Sequence, residues 1–192
     1  SDSMRMLSTS LDLDKIMNAI LINVGRVVPH ETGSIMLIED HYLRFAYTYG
    51  YSQTNRDFLA SYHFPLNHPT IQKLLKTNQP VITLDTRTRE DWTFIPGFDW
   101  IRSNISVPIR VHDIPIGILN LDSSSPGTFT ESHAEWLLAF ASEAALAIEN
   151  AQLYQRIRAH ANELEERVQM RTAELLLMKQ KQFSIARVTR SL

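Results

Sequence analysis

Residues 104–123 read NISVPIRVHDIPIGILNLDS. Ile105, Val107, Ile109 and Val111 alternate with Ser106, Pro108 and Arg110, the two-residue period of a strand with one buried face. Asp113 turns the chain into Ile114–Leu121, a second and more apolar run. The two runs predict an antiparallel hairpin, and Pro108 and Pro115 inside them predict strand ends, bulges or an edge.

The same period occurs upstream. Ser34–Glu39 (SIMLIE) predicts a short apolar strand and Asp40-His41 a turn. Leu43, Phe45, Tyr47 and Tyr49, alternating with Arg44, Ala46 and Thr48, predict its half-buried antiparallel partner. His68–Asn78 predicts a short helix and Val81–Leu84 a short strand. Ahead of them, Leu13, Ile16, Ile20, Val24 and Val27 recur three or four apart, and Met17, Leu21 and Val28 widen the stripe. That is an amphipathic helix over Leu11–Val28, capped by Ser10 or Asp12 and stopped by Pro29. Asp85–Asn104 (DTRTREDWTFIPGFDWIRSN) has no clear period; a connection of that length usually covers something functional.

Downstream the pattern turns helical at about Glu131, where Ser132 and Glu135 fit a capping box. Trp136, Leu137, Phe140, Ala141, Ala144, Ala145 and Ile148 form a broad core-facing stripe. It narrows to Ile157, Ala161, Leu164, Val168, Arg171, Leu175, Met178, Gln182 and Ile185, a 3.5-residue period over about four heptads. No Gly or Pro follows Gly127. About sixty helical residues at ~1.5 Å each reach roughly 90 Å. A two-in-seven seam of that length needs a partner helix, and a parallel homodimer is expected.

Composition narrows the function classes. The 192 residues are 44% hydrophobic and 21% charged, which excludes wholesale disorder. No uncharged apolar run of membrane-spanning length and no signal-peptide core stands out, so a cytoplasmic location without a membrane partner is expected. Cysteine is absent, which excludes disulfides, Cys-based zinc sites, iron–sulfur clusters, Cys nucleophiles and a thioether-linked bilin. Residues 1–154 carry 11 basic and 17 acidic side chains (−6) and residues 155–192 carry 8 and 4 (+4), a shift that marks a change of architecture.

In order, LSTSLDLDKIM (7–17), GSIMLIED (33–40), the 104–123 hairpin and FTESHAEWLLAFASEAALAIENAQLY (129–154) resemble bacterial GAF domains, sensor modules related in fold to PAS domains. NELEERVQMRTAEL (162–175) resembles the coiled-coil linkers of bacterial histidine kinases. The resemblance implies an α+β fold, a GAF/PAS-like antiparallel sheet flanked by helices with a long C-terminal coiled-coil helix. The expected organisation is a sensor domain at 1–154, a coiled-coil linker at 155–187 and, at 188–192, the start of a following GAF-like domain. No phosphoacceptor His box and no nucleotide-binding Asn or Gly boxes appear, so this stretch is expected to be part of a larger two-component protein.

Candidate chemistry follows from the residues. The six glycines are too scattered for a phosphate-binding loop. His63 and His68 lie five apart but make no metal motif, and no metal site is expected. The adjacent carboxylates Glu39-Asp40 and Glu90-Asp91 come with no nucleophile and base. The cyclic-nucleotide pattern of some GAF domains has Asn120 and Phe129 in place, but Leu121 replaces its lysine and His133-Ala134 its acidic pair, which argues against that ligand. Trp92, Phe94, Trp100, Arg102 and Ser103, with Asn120, are the expected ligand-binding residues. Aromatics beside one guanidinium suit a planar, anionic small molecule; alternatively the tryptophans seal the core and Arg102 pairs with a carboxylate. The cofactor is left unknown. The basic tail lies around a seam interspersed with Glu163, Glu165, Glu166 and Glu174, a pattern of coiled-coil flanks and not of a nucleic-acid reader. The dimer seam is Ile157, Ala161, Leu164, Val168, Leu175, Met178 and Ile185. The expected function is a non-enzymatic sensor that relays a signal through the dimeric coil. The alternatives are a ligand-free dimerisation module, or a small-molecule enzyme with 85–104 as its lid. Family members that reduce methionine sulfoxide use cysteines, which this chain lacks.

Overall fold

The computed structural model describes residues 2–190, with side chains from Asp12 onward. The chain divides into two units, Ser1–Ala151 and Gln152–Leu192. The first contains helix α1 (Asp2–Val24), strands β1 (Thr32–Glu39) and β2 (Tyr42–Tyr49), helix α2 (Gln53–Ser61), strand β3 (His63–Pro65), helix α3 (Pro69–Thr77), strand β4 (Val81–Thr83), a 3₁₀ turn (Thr86–Thr88), and strands β5 (Ser103–Val111) and β6 (Ile114–Ser123). Helix α4 (Glu131–Thr189) begins in the first unit and supplies the second from Gln152 to Thr189. The six strands form one antiparallel sheet in the order β3-β2-β1-β6-β5-β4. The α+β fold that the resemblance implies is therefore present.

The β5–β6 hairpin turns at His112 and Asp113, both with positive φ (50° and 63°), the two-residue turn whose twist suits paired strands. The register slips between Ile109 and Arg110, next to Pro115. Pro108 lies past the end of β4, which pairs only with Asn104–Ser106, so its missing N–H interrupts no ladder on that side. In the middle of the sheet β1 passes close to β6: a Cβ on Gly117 would stand 2.3 Å from the Met36 carbonyl oxygen, so this position requires glycine.

Alternation divides the sheet residues between two faces. Ile35, Ile105, Val107, Ile109, Leu119 and Leu121 pack with α1 and with the first turns of α4, where Ala134, Ala141, Ala144 and Ala145 let the helix approach closely. Met36, Leu43, Val81 and Ile118 pack on the other face against Ile71 and Leu74 of α3. Three expectations are corrected here. The buried stripe of α1 is Met17, Ile20, Leu21, Val24 and Val28, while Ile16 and Val27 are about two-fifths exposed; the face is turned by one residue, and the helix ends at Val24 in tight turns through Val28. The β1–β2 register slips between Ile35 and Met36, so the alternation in β2 breaks at Ala46: Tyr47 packs with the α1 side and Phe45 with the opposite face. In α4, Trp136 is exposed, and the cap is Thr130 instead of Ser132. The Thr130 hydroxyl accepts from the His133 N–H at 3.4 Å and the Thr130 N–H donates to His133 Nδ1 at 3.2 Å. The residues read as a polar connection after β2 hold α2, capped by Ser52. Ser10, the other expected cap of α1, lies outside the described side chains.

The second unit is helical from Gln152 to Thr189. Its apolar stripe is open to solvent: Ile157, Leu164, Val168, Leu175, Met178 and Ile185 are all at least 60% exposed. Glu163 accepts from Arg167 at 2.7 Å one turn away, and Arg171 pairs with Glu174 at 3.6 Å. Val188 and Thr189 continue α4, whereas Ser191 and Leu192 of the expected following module lie outside the described residues. No described helix is long and apolar enough to cross a membrane.

Candidate functional site

A cavity of about 740 Å³, its solvent-facing mouth included, opens on the α3 side of the sheet. Its floor is a two-by-two polar array. Asn104 and Ser106 on β5 stand directly opposite Asp122 and Asn120 on β6, because the slip between Ile109 and Arg110 moves the pairing set by the His112-Asp113 turn by one residue. Alternation puts all four on the face opposite Ile105, Val107, Leu119 and Leu121. Met36, Phe45 and Ile71 form one apolar wall, and Trp92, Ile95 and Phe98 of the 85–102 segment form the roof.

The floor is closely hydrogen-bonded. Asn104 Nδ2 donates to Asp122 Oδ1 at 2.8 Å and to Asn120 Oδ1 at 2.7 Å, and Ser106 Oγ donates to Asn120 Oδ1 at 2.6 Å. The Thr32 and Tyr51 hydroxyls each donate to Asp122 Oδ2 at 3.2 Å, and Asn120 Nδ2 reaches both Asp122 oxygens at only 3.5 Å. Every one of these donors is neutral. Asp122 is 3% exposed. Burial pushes its carboxyl up from 3.8 to about 6, against the downward pull of Asn104, Thr32, Tyr51 and Asn120.

The roof is tied down by two arginines. Arg102 donates from Nε and Nη2 to the two oxygens of Asp85, at 3.1 and 2.8 Å, and Asp85 also accepts from the Arg87 N–H that opens the 3₁₀ turn. Arg102 pulls the Asp85 carboxyl below its ordinary value, and Asp85 raises the guanidinium's. Arg89 donates to Asp91 at 2.6 Å, to Thr70 at 2.9 Å and to Thr83, fastening the segment to α3 and β4. At the rim, His68 Nδ1 accepts from the Thr70 N–H at 3.3 Å and so caps α3, and its Nε2 pairs with Thr93 Oγ1 at 2.8 Å. An Nδ1 that accepts is unprotonated, which fits a ring whose pKa burial lowers.

Of the expected ligand-binding residues, Trp92 and Asn120 line the cavity. Phe94 points outward, 53% exposed. Trp100 packs behind the roof with Tyr51, Leu59, Phe98 and Ile101. Ser103 is buried and donates to the Ser125 carbonyl at 2.7 Å, and Arg102 is engaged by Asp85 as described. The expected anion-binding guanidinium therefore belongs to the segment's own anchorage. Phe129 lies in the core on the helix side of the sheet. His63 stacks on Tyr42 at 3.9 Å, away from His68, and among the described residues no three His, Cys, Asp or Glu side chains are placed to hold a metal. The sequence reading missed Asp122, Asn104 and Ser106. No local pattern marked them: counted from the two-residue turn, Asn104 and Ser106 would face Leu121 and Leu119, and only the slip beside Ile109 brings Asp122 and Asn120 opposite them.

The family model of the GAF domain matches residues 10–149. Among solved structures, the GAF domain/HD domain protein from Geobacter sulfurreducens superposes with a TM-score of 0.66 at 16% identity, over 74% of this chain and 95% of that one. The GAF domain of a two-component sensor histidine kinase from Bacillus halodurans does so with a TM-score of 0.60 at 18% identity, over 74% and 97%. Free methionine-R-sulfoxide reductase from Neisseria meningitidis in complex with its substrate gives 0.61 at 18% identity, over 78% and 86%. At these identities the likeness concerns the fold. No curated protein matches the sequence significantly.

Proposed function

This chain belongs to the GAF domain family, and from that premise we propose that it is the sensory module of a bacterial signal-transduction protein of the histidine-kinase type, binding a small molecule in the cavity beneath Trp92. The observation that carries the reading is the cavity itself. An apolar-walled space with convergent polar groups at its floor is the form of a small-molecule site, and a filled core would leave none.

The output is relayed through a parallel dimeric coil formed by residues 155–187. The exposed 3.5-residue stripe supports this, because a seam of that kind is stable only against a second helix. Helix α4 runs without a break from the sensor unit into the stripe, so a change at the sheet has a covalent route to the coil. Arg171 and Gln182 interrupt the seam, and a coil weakened there has two arrangements close in energy. The ligand shifts the balance only by as much as it prefers one of them.

The test is a charge-balanced metabolite library screened by melting temperature. A saturable shift from one or more members supports a sensor. Silence across the library favours a ligand-free dimeriser, and turnover of a member favours an enzyme lidded by 85–104.

A further inference from the structure

We propose that the cavity recognises a small organic cation, a primary amine or guanidinium on an apolar or aromatic body, with its nitrogen paired to Asp122. The proposal rests on the sensor reading above and specifies its ligand.

Asp122 is a nearly fully buried carboxylate on the cavity floor without a positive partner. Its bonds come from Thr32, Tyr51, Asn104 and Asn120, all neutral. Among the described residues no Lys or Arg lines the cavity. The two arginines of the roof are committed to carboxylates of their own, Arg102 to Asp85 and Arg89 to Asp91. A charge buried in this way is expensive unless something pairs with it, and here that partner has to come from outside. The elevated pKa has the same origin: burial opposes ionisation, and no cation counters it.

The surroundings select the kind of cation. Phe45, Tyr51, Phe64, Trp92 and Phe98 face the same space, and aromatic rings attract ammonium and guanidinium groups while solvating the ligand's apolar part. A metal ion would require several oxygen acceptors, whereas the groups around Asp122 present N–H and O–H donors. An anion would meet the carboxylate with no guanidinium to offset it. The Asn120 amide, at 3.5 Å the loosest partner of Asp122 and itself on the cavity wall, is the group an incoming N–H donor would displace.

The experiment is calorimetric titration of the whole 192-residue chain with n-butylamine, 2-phenylethylamine and tryptamine, each beside its alcohol and carboxylate counterpart. At least one amine is expected to bind about tenfold or more tighter than both counterparts. In Asp122→Asn, which preserves shape and is checked for folding by circular dichroism, that preference is expected to vanish. If the variant does not fold, the amine-to-carboxylate ratio in the unaltered protein decides. Carboxylates or alcohols binding as well as the amines, or an amine preference that survives Asp122→Asn, would overturn the proposal. So would a set of amines that fail while the metabolite library yields anionic or neutral ligands, and this outcome leaves the sensor reading standing. Silence from both the amines and the library overturns both.

Discussion

Asn104 and Asp122 face each other across β5 and β6, and the Asn104 amide donates to the Asp122 carboxylate over 2.8 Å at the bottom of the cavity. The bond holds the carboxylate in place without neutralising it, and a pH dependence follows. The folded chain binds a proton at Asp122 more tightly than the unfolded chain does, with a pKa of about 6 against 3.8. Ionised Asp122 therefore costs the empty fold stability above pH 6, and stability is regained as pH falls from about 6 towards 4. A shift of about two units corresponds to about 3 kcal/mol across that window. His30 and His68, lowered by burial, act in the opposite direction over part of the same range. The readout is accordingly the urea stability of Asp122→Asn minus that of the unaltered protein, which should fall steadily from about pH 7.5 to pH 5 as the unaltered protein gains stability. A difference that does not change with pH would mean the carboxylate titrates normally.

Arg102→Ala should lower the melting temperature by releasing the 85–102 segment, and Asp85→Ala should do the same. Because the two share an ion pair, the double variant should lose less than the sum of the single ones, a coupling read from a thermal double-mutant cycle, although Asp85→Ala also removes the cap on the Arg87 N–H. Additive losses would show that the pair is not what anchors the segment.

Gly117→Ala places a methyl group 2.3 Å from the Met36 carbonyl oxygen, and the central β1–β6 pair would have to spread. A loss of roughly 2–4 kcal/mol in chemical denaturation is expected. A neutral result would mean that the strands can separate at little cost.

How much of this was legible in the sequence depended on the range of the interaction. The β5–β6 hairpin, α3 with its His68 and Asn78 ends, and the unbroken helix of α4 all follow from local period and punctuation, and the structure contains each of them. Features set by register or by distant partners were not legible. The slip opposite Ala46 reverses the faces of β2, a change that a strict two-residue alternation cannot show. The sequence leaves open whether Arg102 meets a ligand or pairs with a carboxylate, because Asp85 lies 17 residues earlier, at the other end of an aperiodic segment. Asp122 was passed over because a lone Asp ending a strand looks like a turn residue until the register sets it opposite Asn104.

If the exposed stripe of α4 is a dimer seam, Leu164→Asp combined with Val168→Asp should give a monomer whose sensor unit stays folded. Each seam side chain is worth roughly 1.5–3 kcal/mol when fully buried, so losing two per chain suffices. Sedimentation velocity measures this, and an unchanged dimer would place the assembly elsewhere.

The most direct measurement of a ligand cavity beneath Trp92 is the amide and indole region of the ¹H–¹⁵N spectrum, recorded while the metabolite library is titrated in. The side-chain amides of Asn104 and Asn120 and the indole of Trp92 should move together and saturate with one ligand, while the exposed Trp136 indole on α4 stays still. A library that moves none of the three, or that moves Trp136 while leaving Asn104, Asn120 and Trp92 unchanged, would contradict the account.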